Sequence, residues 1–319
     1  MQKGLIKAIV KKREQLADAV VMLELVRSDG NPFPIFSAGA HIDVHLSSGL
    51  VRQYSLCGDP AELNSYRLGV LKAPDSRGGS NEVHSTLLEG TEVLISEPRS
   101  LFPLVESAER SILIGGGIGI TPILSMAYEL HYIGSEFELL YCGRSRQSSG
   151  FVEELEGSSF SSRIKMHFDL EHQNQFVNLD EIFTSVDLNT HLYVCGPANF
   201  IDWVIDYARS IGMQNEQIHK EFFSVDVDGT GGEFEVVASK SGVTVQVKEN
   251  QSISEALIAA GLDVDVSCEQ GVCGTCLCDV IEGIPEHRDV YLTDEEKQDN
   301  DQMTLCCSRS LSSQLILDI

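Results

Sequence analysis

The chain has 319 residues, 42% of them hydrophobic and 22% charged, a composition that excludes a disordered, collagen-like or low-complexity protein. At roughly 100 to 200 residues per domain, that length predicts two or three domains. A formal net charge of −25, from 48 acidic against 23 basic residues, argues against nucleic acid or an anionic lipid surface as a partner.

The first fifteen residues, MQKGLIKAIVKKREQ, alternate lysine with apolar residues and lack the apolar run and cleavage site of a secretory signal, so a cytoplasmic protein is expected. Short runs with period-two alternation follow at Ala19 to Val26, His41 to Leu46, Val51 to Cys57, Tyr66 to Leu71 and Glu92 to Ile95. Separated by Gly, Pro, Asn and Ser turns, they predict a small antiparallel β-barrel. From Arg110 the texture changes to strand then helix: SILIGG, TPILSMAYELHYIG, ELLYCG, a helix near FVEEL, RIKMHF, LYVCG and ANFIDWVIDYARSIG. Alternation of this kind predicts an α/β domain with a parallel sheet. The nearly apolar stretch Ile112 to Leu124 holds four glycines and falls short of the ~18 residues of a membrane span.

The acidic, Gly-rich stretch Asp226 to Phe234 reads as a linker. Beyond it come two candidate strands, FEVVA and VTVQV, and the helix-like SISEALIAAGLDV, which together suit a compact α+β module. That last segment carries 17 acidic residues against five basic ones, so the acid is concentrated there. The domains expected are 1–104, 105–228 and 229–319.

Nine cysteines without a secretion signal point to metal or catalysis before disulfides. Cys268, Cys273, Cys276 and Cys306 give C-x4-C-x2-C-x29-C, whose first part is the plant-type 2Fe-2S ferredoxin spacing. Gly271 and Gly274 lie inside that loop, where backbone N–H groups must approach the sulfurs. A structural zinc would favour paired CxxC motifs, and the first gap here is four. Cys278 and Cys307 flank the expected ligands and read as buried non-ligands, since either would lengthen the spacing. No pair of C-x-H and C-x-x-H motifs is present for a Rieske centre in this chain.

Two stretches read as anion sites. LIGGGIGITPIL leads from a strand through Gly115, Gly116, Gly117, Ile118 and Gly119 into a helix opened by Thr121 and Pro122, where unpaired N–H donors and the positive dipole end suit a pyrophosphate. Tyr141-Cys142-Gly143-Arg144 and Cys195-Gly196-Pro197 follow at later strand ends, the side of a parallel sheet on which ligands bind. In the barrel segment, Arg52-Gln53-Tyr54-Ser55 lies on a strand, and Arg77-Gly78-Gly79-Ser80 precedes the short helix NEVHSTLLEG. Glycine amides, a hydroxyl and a guanidinium at a helix start form a phosphate site by physics alone.

RQYS, RGGS, GGGIGITP, YCGR, CGP and HKEFF, taken in this order, resemble the ferredoxin-reductase superfamily. The C-terminal ferredoxin segment and the tail TLCCSRS make the chain similar over essentially its whole length to the phthalate dioxygenase reductase family, which includes vanillate demethylase reductases. The resemblance implies an FMN-binding barrel, an NAD-binding α/β domain and a plant-type ferredoxin domain. It implies that Tyr54 lies against one flavin face, Ser55 near the reactive nitrogen and Arg52 toward the phosphate, with Arg77, Gly78, Gly79 and Ser80 at the phosphate end. Gly116 to Thr121 and Gly196 would hold the dinucleotide, Cys195 would sit near the hydride-donating carbon, and Phe223, two residues after Glu221, would cover the flavin face that nicotinamide must occupy.

On this reading Ser55, Cys195 and Phe223 are the catalytic candidates. The activity implied is electron transfer from NADH through FMN to the 2Fe-2S cluster and on to a separate Rieske-type oxygenase, with the flavin converting a two-electron donor to one-electron steps. NADPH stays open, because Arg144, Ser145 and Arg146 follow a strand end where a 2′-phosphate would lie. Two alternatives remain at this level: an electron carrier or sensor whose first two domains only scaffold the ferredoxin, and a reductase serving a haem monooxygenase or a free ferredoxin.

Overall fold

The computed structural model describes residues 4–74, 76–171, 177–224 and 228–319. The chain falls into two compact units, Met1–Phe223 and Ser224–Ile319.

The first unit opens with a barrel. Its strands are β1 (Ile6–Ala17), β2 (Val20–Arg27), β3 (Ala40–His45), β4 (Val51–Ser55), β5 (Tyr66–Leu71), β6 (Glu92–Ile95) and the short β7 (Arg99–Ser100), with helix α1 (Gly79–Thr86) between β5 and β6. They pair in the order β4-β3-β6-β1-β2-β5, and β7 joins β3. A bridge between Leu56, just past β4, and Leu68 of β5 links the two ends of that order and closes the sheet on itself. Alternation drives this closure: Leu23, Leu25, Ile42, Val44, Leu68, Val70 and Ile95 point inward as a buried core, and Val83 of α1 joins it. The strand β1, absent from the sequence expectation, carries register shifts at Val10/Lys12 and Gln15/Ala17, and these break its period-two pattern.

The same unit continues into five parallel strands: β8 (Arg110–Gly116), β9 (Glu136–Gly143), β10 (Ile164–Phe168), β11 (Thr190–Gly196) and β12 (Ile218–Phe222). Their order is β10-β9-β8-β11-β12, so the winding reverses between β8 and β11. Helices α2 (Ile120–Tyr132) and α3 (Val152–Gly157) cover one face of this sheet, and α4 (Ala198–Ser210) covers the other. Leu113, Tyr141, Tyr193 and Cys195 face the first layer, whereas Ile112, Ile114, Leu192 and Val194 face the second. Such near-continuous apolar strands are what a sheet buried on both faces requires.

Barrel and parallel sheet meet along β5. Arg67 donates to both Glu154 oxygens at 2.9 and 2.5 Å, and the Tyr128 hydroxyl donates to the same carboxylate at 2.6 Å. At Gly69 a Cβ would stand 2.7 Å from Thr121 and from the Phe151 ring, so only glycine lets β5 approach the start of α2.

The second unit holds β13 (Phe234–Ala238), β14 (Val243–Val247), α5 (Ile253–Ala259), β15 (Leu277–Glu282), β16 (Pro285–Glu286), α6 (Asp294–Asp299), β17 (Gln302–Thr304), β18 (Arg309–Ser310) and β19 (Gln314–Leu317). Five strands pair in the order β14-β13-β19-β15-β17, with α5 packed on the sheet through Ile253, Ala256 and Leu257. Ser252 starts α5 with a reciprocal cap: its hydroxyl accepts from Glu255 N, and the Glu255 carboxylate accepts from Ser252 N. Of the expected linker, residues 226–227 lie outside the described residues. From Asp228 onward its carbonyls are held by two arginines. Arg288 donates to Asp228 O and, at 2.7 Å, to Thr230 O, while buried Arg309 donates to the carbonyls of Gly229, Gly231 and Gly232 and to those of Lys248 and Gln251. Among the described residues, no helix is long and apolar enough to cross a membrane.

Candidate functional site

On the barrel, β4 runs antiparallel to β3 with Ser55 opposite His41, Tyr54 opposite Ile42 and Gln53 opposite Asp43. Arg52 and Tyr54 therefore share one side of the strand, Gln53 and Ser55 the other. Tyr54 packs against the barrel core, and burial pushes its phenol up to about 12, so it stays protonated at neutral pH. The Gln53 amide donates to Asp43 Oδ1 at 3.0 Å, and Arg99 pairs with the other Asp43 oxygen at 2.7 Å.

The start of α1 comes to Arg52. Gly78 precedes the helix at φ +96°, and a Cβ on Gly79 would lie 2.5 Å from Arg52 Cγ and 2.8 Å from its Nε. Glycine is thus what lets the guanidinium stem pass beside helix-start amides that no side chain of the described residues caps. The Ser80 hydroxyl accepts from Ala73 N at 3.1 Å and keeps its own proton for another acceptor. Glu82, an acid that would repel an anion here, is occupied by the Ser47 hydroxyl at 2.7 Å and the Ser48 amide at 3.0 Å.

On the parallel sheet, β8 ends in a 3-10 turn over Gly117–Gly119 that leads into α2. That turn and the Cys195-Gly196-Pro197 corner both lie where the winding reverses, the position at which open α/β sheets form a ligand crevice. The glycines differ in purpose. A Cβ at Gly119 would run into the Cys195 carbonyl and stand 2.7 Å from Gly196 N, while one at Gly116 or Gly196 would stand 2.8 or 2.9 Å from the Phe200 ring. Those three serve packing of the protein on itself. Gly117, at φ +55° with nothing within 4 Å of a built Cβ, is the one that leaves open space beside its amide. The Thr121 hydroxyl donates to Ile118 O at 3.0 Å and pins the turn.

Cys195 is fully buried, and burial first, then Glu221 opposite it in the strand register, pushes its thiol well above the usual range. Glu221 is itself unusual: one carboxyl oxygen is sealed from solvent without a hydrogen-bond partner among the described residues, and desolvation raises its pKa to about 8. Phe223 packs on the core that contains Cys195. Sequence reasoning passed over Phe200 and the isolation of the Glu221 carboxyl, since neither leaves a local signal.

In the second unit Cys268, Cys273, Cys276 and Cys306 come together. The thiols of Cys273 and Cys306 reach Cys268, and the thiols of Cys306 and Cys276 reach each other. Gln270 N donates to Cys268 Sγ at 3.4 Å and Thr275 N to Cys273 Sγ at 3.5 Å. The neighbouring thiols, helped by the Gln270 and Val272 amides, hold Cys268 well below the usual thiol range, while its donor partners Cys273 and Cys306 are pushed up. Four thiolates at once therefore need positive charge between them, which is the chemistry of an iron–sulfur cluster. The contacts Cys273–Cys268, Cys268–Cys306 and Cys306–Cys276 link the four sulfurs, and the Cys307 thiol also reaches Cys306; the C-x4-C spacing suits two irons better than one tetrahedral zinc. The loop is shaped for this by Gly271 (φ +68°) and Gly274 (φ +69°), each of which faces protein where a Cβ would stand. Cys278 donates to Asp279 O at 3.4 Å, and the Cys307 sulfur lies 3.2 Å from the Thr304 hydroxyl.

Comparison with known proteins agrees with this geometry. Residues 236–311 match the 2Fe-2S iron-sulfur cluster binding domain, and residues 94–218 match the N-terminal domain of dimethylamine monooxygenase subunit DmmA-like proteins. The chain is 47% identical to a vanillate O-demethylase oxidoreductase of Pseudomonas sp. (strain HR199 / DSM 7063), over 99% of this chain and 100% of that one. A carnitine monooxygenase reductase subunit of Acinetobacter baumannii is 40% identical over 98% and 97%. Among solved structures, phthalate dioxygenase reductase superposes with a TM-score of 0.81 at 34% identity, covering 100% of this chain and 99% of that one. An intact type IV self-sufficient cytochrome P450 monooxygenase gives 0.83 at 33% identity, with 99% of this chain matching 41% of that one. Alike from end to end in sequence and in fold, the chain belongs to the phthalate dioxygenase reductase family and is an electron-transfer oxidoreductase with flavin-, nicotinamide- and 2Fe-2S-binding folds.

Proposed function

We propose that this protein is a cytoplasmic, NADH-dependent reductase that carries FMN and a 2Fe-2S cluster and supplies single electrons to a separate Rieske-type oxygenase. The observation that carries the reading is the full-length match to phthalate dioxygenase reductase, a modular structure for electron transfer from pyridine nucleotides to [2Fe-2S]. The relatives' names, a demethylase oxidoreductase and a monooxygenase reductase subunit, support an oxygenase as acceptor.

Residues 1–104 form the flavin domain in this reading, 105–228 the nicotinamide domain and 229–319 the ferredoxin domain. The strand from Arg52 through Gln53 and Tyr54 to Ser55 holds the flavin ring and ribityl chain, and Arg77, Gly78, Gly79 and Ser80 hold its phosphate. Gly116, Gly117, Ile118, Gly119, Thr121 and Gly196 form the dinucleotide crevice. Cys195 and Phe223 border the place of the nicotinamide and shut out water. Cys268, Cys273, Cys276 and Cys306 ligate the cluster. Bound flavin supplies the conversion of a two-electron donor to one-electron transfers.

Purified, cofactor-loaded protein mixed anaerobically with NADH should lose both flavin and cluster absorption, and an oxygenase encoded beside it should turn over its substrate when the two are combined. Flavin and cluster that stay oxidised under NADH would leave only a carrier role and overturn the proposal. The haem alternative has one observation in its favour, the similarity to the P450 chain. Turnover with a P450 but with no Rieske oxygenase would select it.

A further inference from the structure

His41 stands apart from the polar residues of the barrel. It is only 4% exposed, and its ring nitrogen Nε2 is sealed from solvent with no hydrogen-bond partner among the described residues. A buried polar atom left in this state forfeits its hydration without compensation, so such atoms are normally satisfied by something. The strand register says where that something would lie. His41 is directly opposite Ser55, and paired residues of antiparallel strands project from the same sheet face. The next pair on that face, Asp43 and Gln53, is already in side-chain contact at 3.0 Å. Arg99 of β7 also pairs in register with His41, but its guanidinium is directed to Asp43 at 2.7 Å.

We infer that His41 is a flavin-positioning residue, whose Nε2 exchanges a hydrogen bond with the polar edge of the flavin ring system beside Ser55. The inference rests on the flavin site proposed above for the strand Arg52 to Ser55. It requires a neutral imidazole, and the environment supplies one: burial first, then the charge of Arg99, lowers the His41 pKa to about 4, against a smaller opposing effect of Asp43. A neutral ring has one donor and one acceptor nitrogen, so it can serve a ligand without bringing a second cation beside Arg99. The open alternative for the orphaned nitrogen is a trapped water, which would satisfy it whether or not flavin is bound.

That difference gives the test. Full-length protein is stripped of flavin and titrated with FMN, with the cluster's visible absorption as an internal check that the second unit is intact. For His41→Phe the FMN dissociation constant should rise roughly tenfold or more, and His41→Gln, which restores a polar group, should recover most of the loss. Without flavin, His41→Phe should melt no lower than the unsubstituted protein, because the orphaned polar atom is gone. With saturating FMN the order should reverse, as only the unsubstituted site gains the new bond. The absorption maximum of bound FMN should shift in His41→Phe and return in His41→Gln, which a purely structural residue would not produce. In unsubstituted protein, independently of any variant's folding, the His41 Nε2 resonance in 15N spectra should move on FMN binding. An equal FMN-induced rise in melting temperature for all three proteins, or an unmoved Nε2 resonance, would overturn the assignment and leave the water. Failure of the unsubstituted protein to bind flavin would overturn the flavin site itself, and His41's role with it.

Discussion

A methyl group added to the cluster loop at Gly274 should meet two separate penalties. The backbone there has φ +69°, a region that costs an L-residue roughly 1 to 2 kcal/mol. The new Cβ would also overlap the Tyr291 ring, with even the third-nearest ring carbon, Cε1, only 2.8 Å away. Displacing a packed ring is an overpacking cost of about 1 to 3 kcal/mol. Gly274→Ala should therefore destabilise the loop by about 2 to 5 kcal/mol, a large share of the ~5 to 15 kcal/mol that holds a domain together. The assay is urea-induced loss of the cluster's visible absorption. With a slope near 2 kcal/mol per molar urea, the midpoint should fall by about 1 to 2.5 M. In a Tyr291→Ala background the steric part disappears, and the same glycine substitution should lower the midpoint by no more than about 1 M. Equal shifts in the two backgrounds would refute the assignment of Gly274 to close packing against Tyr291.

Three further outcomes follow from the geometry. Cys306→Ser should lose most of the cluster's visible absorption while Cys307→Ser and Cys278→Ser keep it; equal loss in Cys307→Ser would exchange the fourth ligand. For Glu221 the folded-state pKa is raised to about 8, so between the ordinary carboxylate value of 4.5 and about 8 the folded state holds a proton that the unfolded state has released, and stability falls as pH rises through that window. Glu221→Gln should match the unsubstituted protein's melting temperature near pH 5 and exceed it near pH 8, and parallel curves would refute the buried, protonated carboxyl. The acidic helix α6 carries exposed Glu295 and Asp299, whereas Glu296 is engaged in a reciprocal cap with Thr293. Glu295→Lys with Asp299→Lys should flatten the salt dependence of electron transfer to the basic acceptor cytochrome c without changing flavin reduction by NADH; an unchanged dependence would mean those acids are only solvated surface.

The parts of this molecule legible in its sequence were those fixed by local rules. Cysteine spacing in CEQGVCGTC, strand alternation in YRLGVL and the strand–glycine–helix passage at SILIGGGIGITP each needed only neighbours along the chain, and the structure has grouped thiols, a barrel strand and a switch-point turn there. β1 was missed because two bulges shift its inward face partway along, so no single period describes it. The glycines were legible as glycines but not by purpose. Whether Gly119 faces a ligand or the Cys195 backbone is decided by a strand some seventy-five residues away. Orphaned atoms such as His41 Nε2 and the Glu221 carboxyl oxygen are invisible in one dimension, since sealing is a property of everything packed around them.

The two arginines that grasp the segment 228–232 change where this protein can be divided. Composition marks the run DGTGGE as slack, yet half-buried Arg288 and buried Arg309 use its carbonyls as acceptors, and Gly231 is bare because a Cβ would lie 2.5 Å from Arg309 Nε. An engineer who severs the electron-transfer module at Glu233 removes those acceptors and leaves Arg288 with Glu286 and Arg309 with the Lys248 and Gln251 carbonyls, a loss of several charge-assisted bonds worth roughly 1.5 to 3 kcal/mol each. A cut before Ser224 takes the anchor along with the module. The frontier between modules is thus drawn by which side owns the hydrogen bonds, and the ferredoxin owns the tether.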